Sequence, residues 1–192
     1  DKWSIKSLHR IIMTSSVYQL DSRFGTEKHL LLDPKNQLLW RMNRRRLEGE
    51  ALWDSVHATA NTLNLEIGGP PVVPPLAPDE IAALRERWHW PITADPKQHT
   101  RRGMYILVRR NFRFPMFEVF DAPVTEGSCP TRSVTTVATQ ALWNLNSKSV
   151  WKQATHLAAR VHKVAGTNRQ KWSKNIWQIC LGRQPAKEEM EA

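Results

Sequence analysis

The stretch TQALWNLNSKSVWKQATHLAARVHKVAGTNRQKWSKNIWQICLGRQP, residues 139–185, decides the fold class of this chain. Its apolar residues recur at helical spacing over 139–145, 149–164 and 171–181. Gly182, directly after the third segment, is a typical helix stop. The sequence therefore predicts three consecutive helices here and a mainly α protein.

The N-terminal quarter also carries helix signals. Ser4 is placed to cap a helix whose apolar face begins at Ile5. Turn residues at 33–36 precede an apolar run, and Asn43 is the predicted cap of a longer helix that reaches about Leu63. The predicted core face of that longer helix is Leu52, Val56, Ala60 and Leu63.

The middle of the chain is less regular. Residues 70–100 are rich in proline and predict an extended insertion loop with a short helix over 79–88. The apolar, partly β-branched residues 104–108 are the best strand candidate, and 117–120 is its expected partner. The prediction is a single helical domain over 1–192 with a short two-stranded β element and a Pro-rich insertion loop.

Composition and charge limit the function classes. Hydrophobic residues make up 41% of the 192 and charged residues 24%, which is ordinary for a folded globular protein. The formal net charge of +10 favours anionic partners, although scattered Lys and Arg also simply solvate a surface. No apolar run approaches the roughly 20 residues that a transmembrane helix needs. We therefore expect no transmembrane segment.

The sequence lacks motifs for catalysis or cofactor binding. It contains no nucleophile elbow, phosphate loop, dinucleotide fingerprint or zinc-protease motif. Cys129 and Cys180 match no zinc or haem-attachment spacing, and whether they pair is left open. We expect no cofactor within this chain.

Charged clusters are interpreted first as structural. On the predicted helix, Arg44 faces Glu48 and Arg46 faces Glu50, which indicates a salt-bridge network more than a ligand site. Three arginines at a helix start oppose the helix dipole, so some are expected to contact other carboxylates or an anion.

A second basic group brackets the strand candidate. Neighbouring residues of a strand point to opposite faces, so one of Arg109 and Arg110 is expected to point inward and to pair with Asp121 or Glu118. The hydroxyl residues at 133–136 have no adjacent histidine and are interpreted as caps of the following helix.

The order of short motifs along the chain carries a family resemblance. The motifs are the helical opening at 3–15, the blocks 33–42 and 44–48, Gly68-Gly69-Pro70, 101–105 with 108–111, Phe120-Asp121-Ala122-Pro123, Cys129 with Arg132, 139–146, and Leu181-Gly182-Arg183-Gln184-Pro185. Together they resemble the planctomycete-type domain of unknown function DUF1553 (PSD1). The chain departs from that pattern at Gly49, where alanine is usual, and at Ala138, where proline is usual.

The resemblance implies a biological context but no activity. It implies a fragment of a larger chain: the C-terminal module of an exported, extracytoplasmic bacterial protein, either periplasmic or secreted. It also implies upstream domains in the same polypeptide, one of them carrying haem c, and a variable insertion at about 70–100. Both ends of the sequence, at Asp1 and Ala192, are consistent with a chain that continues.

Three functional hypotheses follow. The leading one is a non-catalytic interaction or ligand-binding module for an anionic ligand or polysaccharide. Its candidate binding residues are Arg45, Arg109, Arg110, Asp121, Arg132 and Gln140. The second is an enzyme acting on polysaccharide or in redox chemistry, with Asp121 or Glu50 as its acid–base group. The third and less favoured is nucleic-acid binding, which follows from the charge and from interleaved Arg and Trp.

Overall fold

A computed structural model describes residues 3–82, 90–110 and 113–191. About half of the chain is helical, and within the described ranges no β-sheet forms. Two isolated parallel bridges join Asn64 to Arg101 and Val72 to Ile106. The prediction of a mainly α protein is confirmed. The helices are α1 Ile5–Met13, α2 Glu27–Leu32, α3 Gly49–Thr59, α4 Pro78–Ala82, α5 Pro115–Val119, α6 Ala138–Asn146, α7 Lys148–Ala165, α8 Arg169–Leu181 and α9 Lys187–Glu191.

The chain divides into two compact units, residues 1–46 and 47–192. The expectation of one domain over residues 1–192 stays a prediction. In the described part of the chain, no helix combines the length and apolar character needed to span a membrane.

Unit 1 contains α1, α2 and a tight loop. The Ser4 side chain accepts a hydrogen bond from the Ser7 N–H, so the predicted N-cap of α1 is confirmed. The predicted turn at 33–36 also forms: the Asp33 carboxylate accepts the N–H groups of Gln37 and Leu38 at 2.9 and 2.7 Å. These bonds satisfy backbone donors that the turn leaves without helical partners.

The second predicted helix begins later than expected. Asn43 does not cap it, because its side-chain oxygen accepts a hydrogen bond from Asn36 at 2.8 Å and belongs to the loop of unit 1. The helix, α3, begins at Gly49 and ends at Thr59. The prediction that Arg44 and Arg46 lie on this helix is therefore wrong. Its buried face is also shifted from the predicted set, to Gly49, Trp53, His57 and Ala60.

The Pro-rich segment of unit 2 is part of the core. Val72, Val73 and Leu76 are each at most 8% exposed and pack in one cluster with Trp53 and several phenylalanines. The observed helix α4 covers the start of the predicted helix at 79–88, and residues 83–89 lie outside the described ranges. Because this segment supplies buried side chains, packing constrains it even though its backbone is irregular.

The predicted two-stranded β element does not form. Gly103–Tyr105 is a 3-10 helix, and the backbone that follows it bonds to Val72: the Leu107 N–H donates to the Val72 carbonyl at 2.8 Å. The expected partner, residues 117–120, lies mostly in α5. Pro115 at the first turn of α5 fixes a helical φ, and this favours a helix over a strand there.

The three C-terminal helices are confirmed. Ser147 and Asn168 cap the starts of α7 and α8, and Gly182 ends α8 at a φ of 66°, a left-handed conformation that glycine adopts without strain. Helix α7 is attached to α3 by Arg160, which donates to the carbonyls of Ala58 and Thr59 at 3.2 and 2.7 Å. These carbonyls are at the C-terminal end of α3, where a cation is favourable.

Candidate functional site

The start of α3 supports the candidate site of unit 2. Gly103 lies so close to this turn that a Cβ there would be 2.9 Å from both the Cα and the carbonyl oxygen of Glu50. Gly49 is similarly close to the ring of Phe117, at 3.1 Å. Two glycines therefore let the 103–105 segment and α5 pack directly on α3. This packing fixes the backbone that carries Glu50.

Arg132 connects α3 to a loop 82 residues further along the chain. Its Nη1 and Nη2 donate to the two carboxylate oxygens of Glu50 at 2.7 and 3.0 Å, which is a bidentate ion pair. Nη1 also lies 3.1 Å from the carboxylate of Glu48. One guanidinium is therefore shared by two carboxylates, with directional hydrogen bonds to Glu50 and an ion pair to Glu48.

The electrostatics of this pair keep Glu50 ionised. Burial alone would raise the pKa of Glu50, but the hydrogen bonds from Arg132 and the backbone, with the charge of Arg132, outweigh it. The pKa of Glu50 consequently lies below its ordinary value of 4.5. The hydrogen bond with Glu50 in turn raises the pKa of Arg132.

A cleft opens beside this ion pair. Its larger part, of about 650 Å³, is bounded by α5 and by the loop that carries Cys129 and Arg132. An adjacent pocket of about 230 Å³ is lined by Glu50, Phe114 and Phe117, among others. The two parts share five lining residues: Arg113, Ala122, Pro123, Val124 and Arg132. We call these two adjacent pockets together the 113–132 cleft.

The second arginine of the 113–132 cleft is also engaged. Arg113 donates to the Glu118 carboxylate at 2.9 Å and to the Ala122 carbonyl at 3.5 Å. The Cys129 thiol, on the opposite loop, donates to the Thr131 carbonyl at 3.3 Å. Both cysteines are free and exposed, so they do not pair with each other in this structure.

Asp121 lies at the rim in a supporting hydrogen-bond network. Its φ is 59°, and its carboxylate accepts the N–H and the hydroxyl of Thr135 at 2.8 and 2.9 Å. Gln140, which is only 5% exposed, donates to that same hydroxyl at 3.3 Å and to the Val119 carbonyl at 3.1 Å. Thr135 therefore stabilises the Asp121 loop. The expectation that residues 133–136 cap α6 is wrong, because the N-cap of α6 is Val137.

The structure brings together some of the predicted binding residues. Asp121 and Arg132 line the 113–132 cleft, and Gln140 contacts it indirectly through Thr135. Arg109 is half-buried and Arg110 is exposed, and the cleft lining includes neither of them. Arg45 is an exposed residue of unit 1. Glu118 was expected to pair with Arg109 or Arg110, but it forms its ion pair with Arg113.

Sequence reasoning missed the structural role of a buried arginine, Arg101. Arg101 is 1% exposed, and its guanidinium lies 3.9 Å from the centre of the Tyr105 ring. It donates to the carbonyls of Glu66, Gly68 and Pro70, with the Nη2 to Glu66 distance 3.2 Å. Backbone carbonyls compensate the buried charge of Arg101. A pattern of side chains in the sequence does not predict such partners. Arg101 therefore holds the start of the Pro-rich segment.

Two further observations limit the chemistry. Across the described ranges, no group of three or more His, Cys, Asp or Glu side chains is arranged to hold a metal ion. The pKa of Glu50 is lowered, which is the opposite of the raised pKa that a general acid uses.

The family resemblance is confirmed by comparison with known proteins. The PSD1 family model, described as a protein of unknown function (DUF1553), matches residues 1–192. Comparison with curated proteins and with solved structures finds no match. The order of motifs and the match over the full length agree, and the chain belongs to the PSD1 family of proteins of unknown function.

Proposed function

We propose that this chain is a non-catalytic binding module of an exported, cytochrome-c-associated protein, and that the 113–132 cleft binds an uncharged sugar. The observation that carries the sugar proposal is the internal neutralisation of the cleft. Arg132 is paired with Glu50 and Glu48, and Arg113 is paired with Glu118. The cleft therefore offers oriented hydrogen-bonding groups without a free cation among its described arginines.

Charge disfavours an anionic ligand at this cleft. Among the described residues that line it, the guanidiniums of Arg113 and Arg132 face four carboxylates, those of Glu50, Glu118, Asp121 and Glu126. An incoming carboxylate or phosphate would compete with these groups for the same donors and meet like charges. An uncharged polyhydroxylated ligand avoids that cost because its hydroxyls both donate to carboxylates and accept from guanidiniums.

The shape of the cleft also suits a sugar ring. Pro123 and Val124 provide apolar surface in both parts, and Phe114 and Phe117 line the smaller pocket. A pyranose ring carries an apolar C–H face and a rim of hydroxyls, so it matches a cleft with both kinds of surface. Pockets that combine apolar walls with a few fixed polar groups are typical of small-ligand sites.

The state of the carboxylates supports a non-catalytic role. A glycosidase needs a general acid that is protonated near neutral pH and therefore has a raised pKa. Glu50 has a lowered pKa, and Asp121 already accepts the N–H and hydroxyl of Thr135. These properties support binding over the polysaccharide-cleaving or redox hypothesis.

The wider context is proposed from family membership. The PSD1 match and the motif order support an extracytoplasmic, multidomain bacterial protein in which haem c is carried by an upstream domain. The test is to isolate the native protein from fractionated cells and to stain it for covalent haem. Covalent haem on a longer polypeptide in the extracytoplasmic fraction is expected; a haem-free cytoplasmic protein would contradict the proposal.

The cleft proposal is tested with neutral oligosaccharides and a cleft-filling variant. Val124 is 56% exposed and lines both parts of the cleft, so Val124→Trp should block it without disturbing the core. Val17→Trp, at a 45% exposed position of unit 1, is the matched control. We expect a panel of cello-, xylo- and manno-oligosaccharides to include a ligand that binds the wild type and the control but not Val124→Trp. Binding by all three proteins, or by none, would refute the proposal.

A further inference from the structure

The positive charge of this protein is concentrated in one segment. Residues 127–187 contain ten Lys and Arg and no Asp or Glu. The rest of the chain then holds 18 Lys and Arg against 18 Asp and Glu, so the entire net charge of +10 comes from this segment. Such segregation over 61 residues creates a local positive potential that an evenly mixed surface would not have.

Three of these cations have structural partners. Arg132 is paired with Glu50, and Arg160 donates to the carbonyls at the end of α3. Arg183 forms a bidentate pair with Glu189 at 2.8 Å and covers the Trp177 ring at 4.5 Å. Their positions are explained by the fold. The other cations of the α7–α8 hairpin need a different explanation.

Five of the other cations lie on the exposed faces of α7 and α8. Lys152 and Lys163 are both exposed, and with His156 between them they follow one face of α7 over about 16 Å, at 1.5 Å per residue. On α8, Arg169, Lys171 and Lys174 are exposed. In the described part of the chain, none of these five Lys and Arg side chains forms an ion pair.

A groove lies at the turn between the two helices. It has a volume of about 420 Å³ and is lined by His162, Arg169 and Trp172, among others. The indole N–H of Trp172 is satisfied by the Gly166 carbonyl at 2.7 Å, and the ring contacts His162 edge to face at 5.9 Å. An oriented aromatic ring with its N–H already bonded is a suitable stacking surface, and Arg169 lines the same groove.

We propose that the exposed face of the α7–α8 hairpin binds an acidic polysaccharide. The cations attract the carboxylates of uronic-acid residues, and the Trp172 groove takes one sugar ring. Four of the five exposed cations are lysines, which act as point charges and lack the planar fork with which Arg recognises phosphates. The separation of about 16 Å between Lys152 and Lys163 along α7 suits a polymer with one charge per ring better than a duplex with one charge per about 1.7 Å.

This site is on different elements from the 113–132 cleft and does not depend on the proposed function. The probes are polygalacturonate, uncharged dextran, duplex DNA and vesicles containing phosphatidylglycerol. The hairpin variant changes four exposed cations to Gln: Lys163, Arg169, Lys171 and Lys174. The control variant changes four exposed lysines outside the segment to Gln: Lys6, Lys28, Lys35 and Lys97. Both variants lose the same net charge, so only location distinguishes them.

We expect polygalacturonate to bind the wild type and to weaken as salt rises, since counterions are released. The hairpin variant should lose about tenfold or more in affinity at low salt, and the control about twofold or less. The Val124→Trp variant should bind polygalacturonate like the wild type, which separates this site from the cleft. Equal losses in the two charge variants, equal binding of dextran, or tighter binding of DNA or vesicles at matched charge would overturn the proposal. Circular dichroism of both charge variants is the check that they fold.

Discussion

Replacement of Arg132 by Met tests the ion pair on which the 113–132 cleft is built. Met keeps most of the aliphatic length of the side chain and removes its charge and donors. The change leaves the Glu50 carboxylate, which is 27% exposed, without its two guanidinium hydrogen bonds. Glu48 loses the same partner at 3.1 Å. We expect unit 2 to be destabilised and the cleft to lose its defined wall.

The magnitude follows from geometry and exposure. A hydrogen bond to a charged group contributes about 1.5–3 kcal/mol net, and the pair here is bidentate. Arg132 is 34% exposed, so solvent screening reduces the gain, and we expect a loss of about 2 kcal/mol. For a unit of this size the melting temperature should fall by roughly 4–8 °C.

The pKa of Glu50 determines how the stability difference between wild type and variant changes with pH. In the wild type the pKa of Glu50 is lowered, so its stabilisation is present above the ordinary value of 4.5 and is lost as pH falls through the lowered pKa. In the variant, burial acts without Arg132 and raises the pKa of Glu50, so protonation restores stability on acidification. The difference in unfolding free energy between the two proteins is therefore largest near neutral pH and has already shrunk at about pH 4.

The assay is urea unfolding of the wild type and variants at about pH 7 and about pH 4. The control is Arg102→Met. Arg102 pairs with Asp54 at 2.9 Å, but its side chain is 49% exposed. In this variant the Asp54 carboxylate still accepts a hydrogen bond from the Gly103 N–H at 2.6 Å. We expect a loss of about 0.5 kcal/mol for the control. Equal losses for the two variants, or an Arg132→Met loss that does not diminish in acid, would show that the Arg132–Glu50 pair does not have this role.

Three further predictions concern packing and polar support, and urea unfolding checks each of them. Gly103→Ala should cost about 2–3 kcal/mol because its Cβ would lie 2.9 Å from the Glu50 backbone. In the control, Gly127→Ala, the new Cβ meets no atom within 4 Å, and stability should change by less than about 0.5 kcal/mol. Equal effects of the two substitutions would contradict the close approach of Gly103 to Glu50. Arg101→Met should cost about 3 kcal/mol because the guanidinium of Arg101, which is 1% exposed, and its hydrogen bonds to three carbonyls are lost; a neutral result would show that water replaces it. Thr135→Val should cost about 1 kcal/mol through the lost hydroxyl bonds to Asp121, and exposed Thr139→Val should cost less than about 0.5 kcal/mol; similar values would remove the supporting role of Thr135.

The parts of the fold that could be predicted are those that local sequence determines. Helices α6, α7 and α8 follow from apolar spacing over 9 to 18 residues, and the stop at Gly182 follows from its left-handed φ. The Ser4 cap is likewise a local interaction, between residues three positions apart in the sequence. Each of these depends on residues within a few positions of one another, so the pattern alone carries the information.

The errors come from tertiary competition. Asn43 has the chemistry of a cap, but its side chain bonds to Asn36 in a loop. Residues 104–108 have β propensity, but Gly103 allows a close approach to Glu50 that shapes a 3-10 turn instead. Neither alternative partner is visible from the immediate neighbourhood in sequence. Context of this kind regularly overrides local preference.

The candidate site was partly predictable for the same reason. Asp121 and Arg132 were expected to be functional because they lie in motif blocks, and both line the cleft. The partner of Arg132 is Glu50, 82 residues away, and a single sequence does not reveal such a pairing. Arg113 was overlooked because it stands alone beside the more conspicuous Arg109 and Arg110.

Alkylation of the two free thiols tests the central claim most directly. Cys129 lines the 113–132 cleft, and Cys180 is on α8, outside it, so each molecule contains its own control. Burial raises the pKa of Cys180, so each thiol is compared with its own rate in the absence of sugar. We predict that a neutral oligosaccharide at about ten times its Kd slows modification of Cys129 roughly tenfold, leaves Cys180 unaffected and is recovered uncleaved. Unchanged reactivity of Cys129 with every sugar of the panel, equal protection of both thiols, or cleavage of the sugar would contradict a non-catalytic sugar site in the cleft.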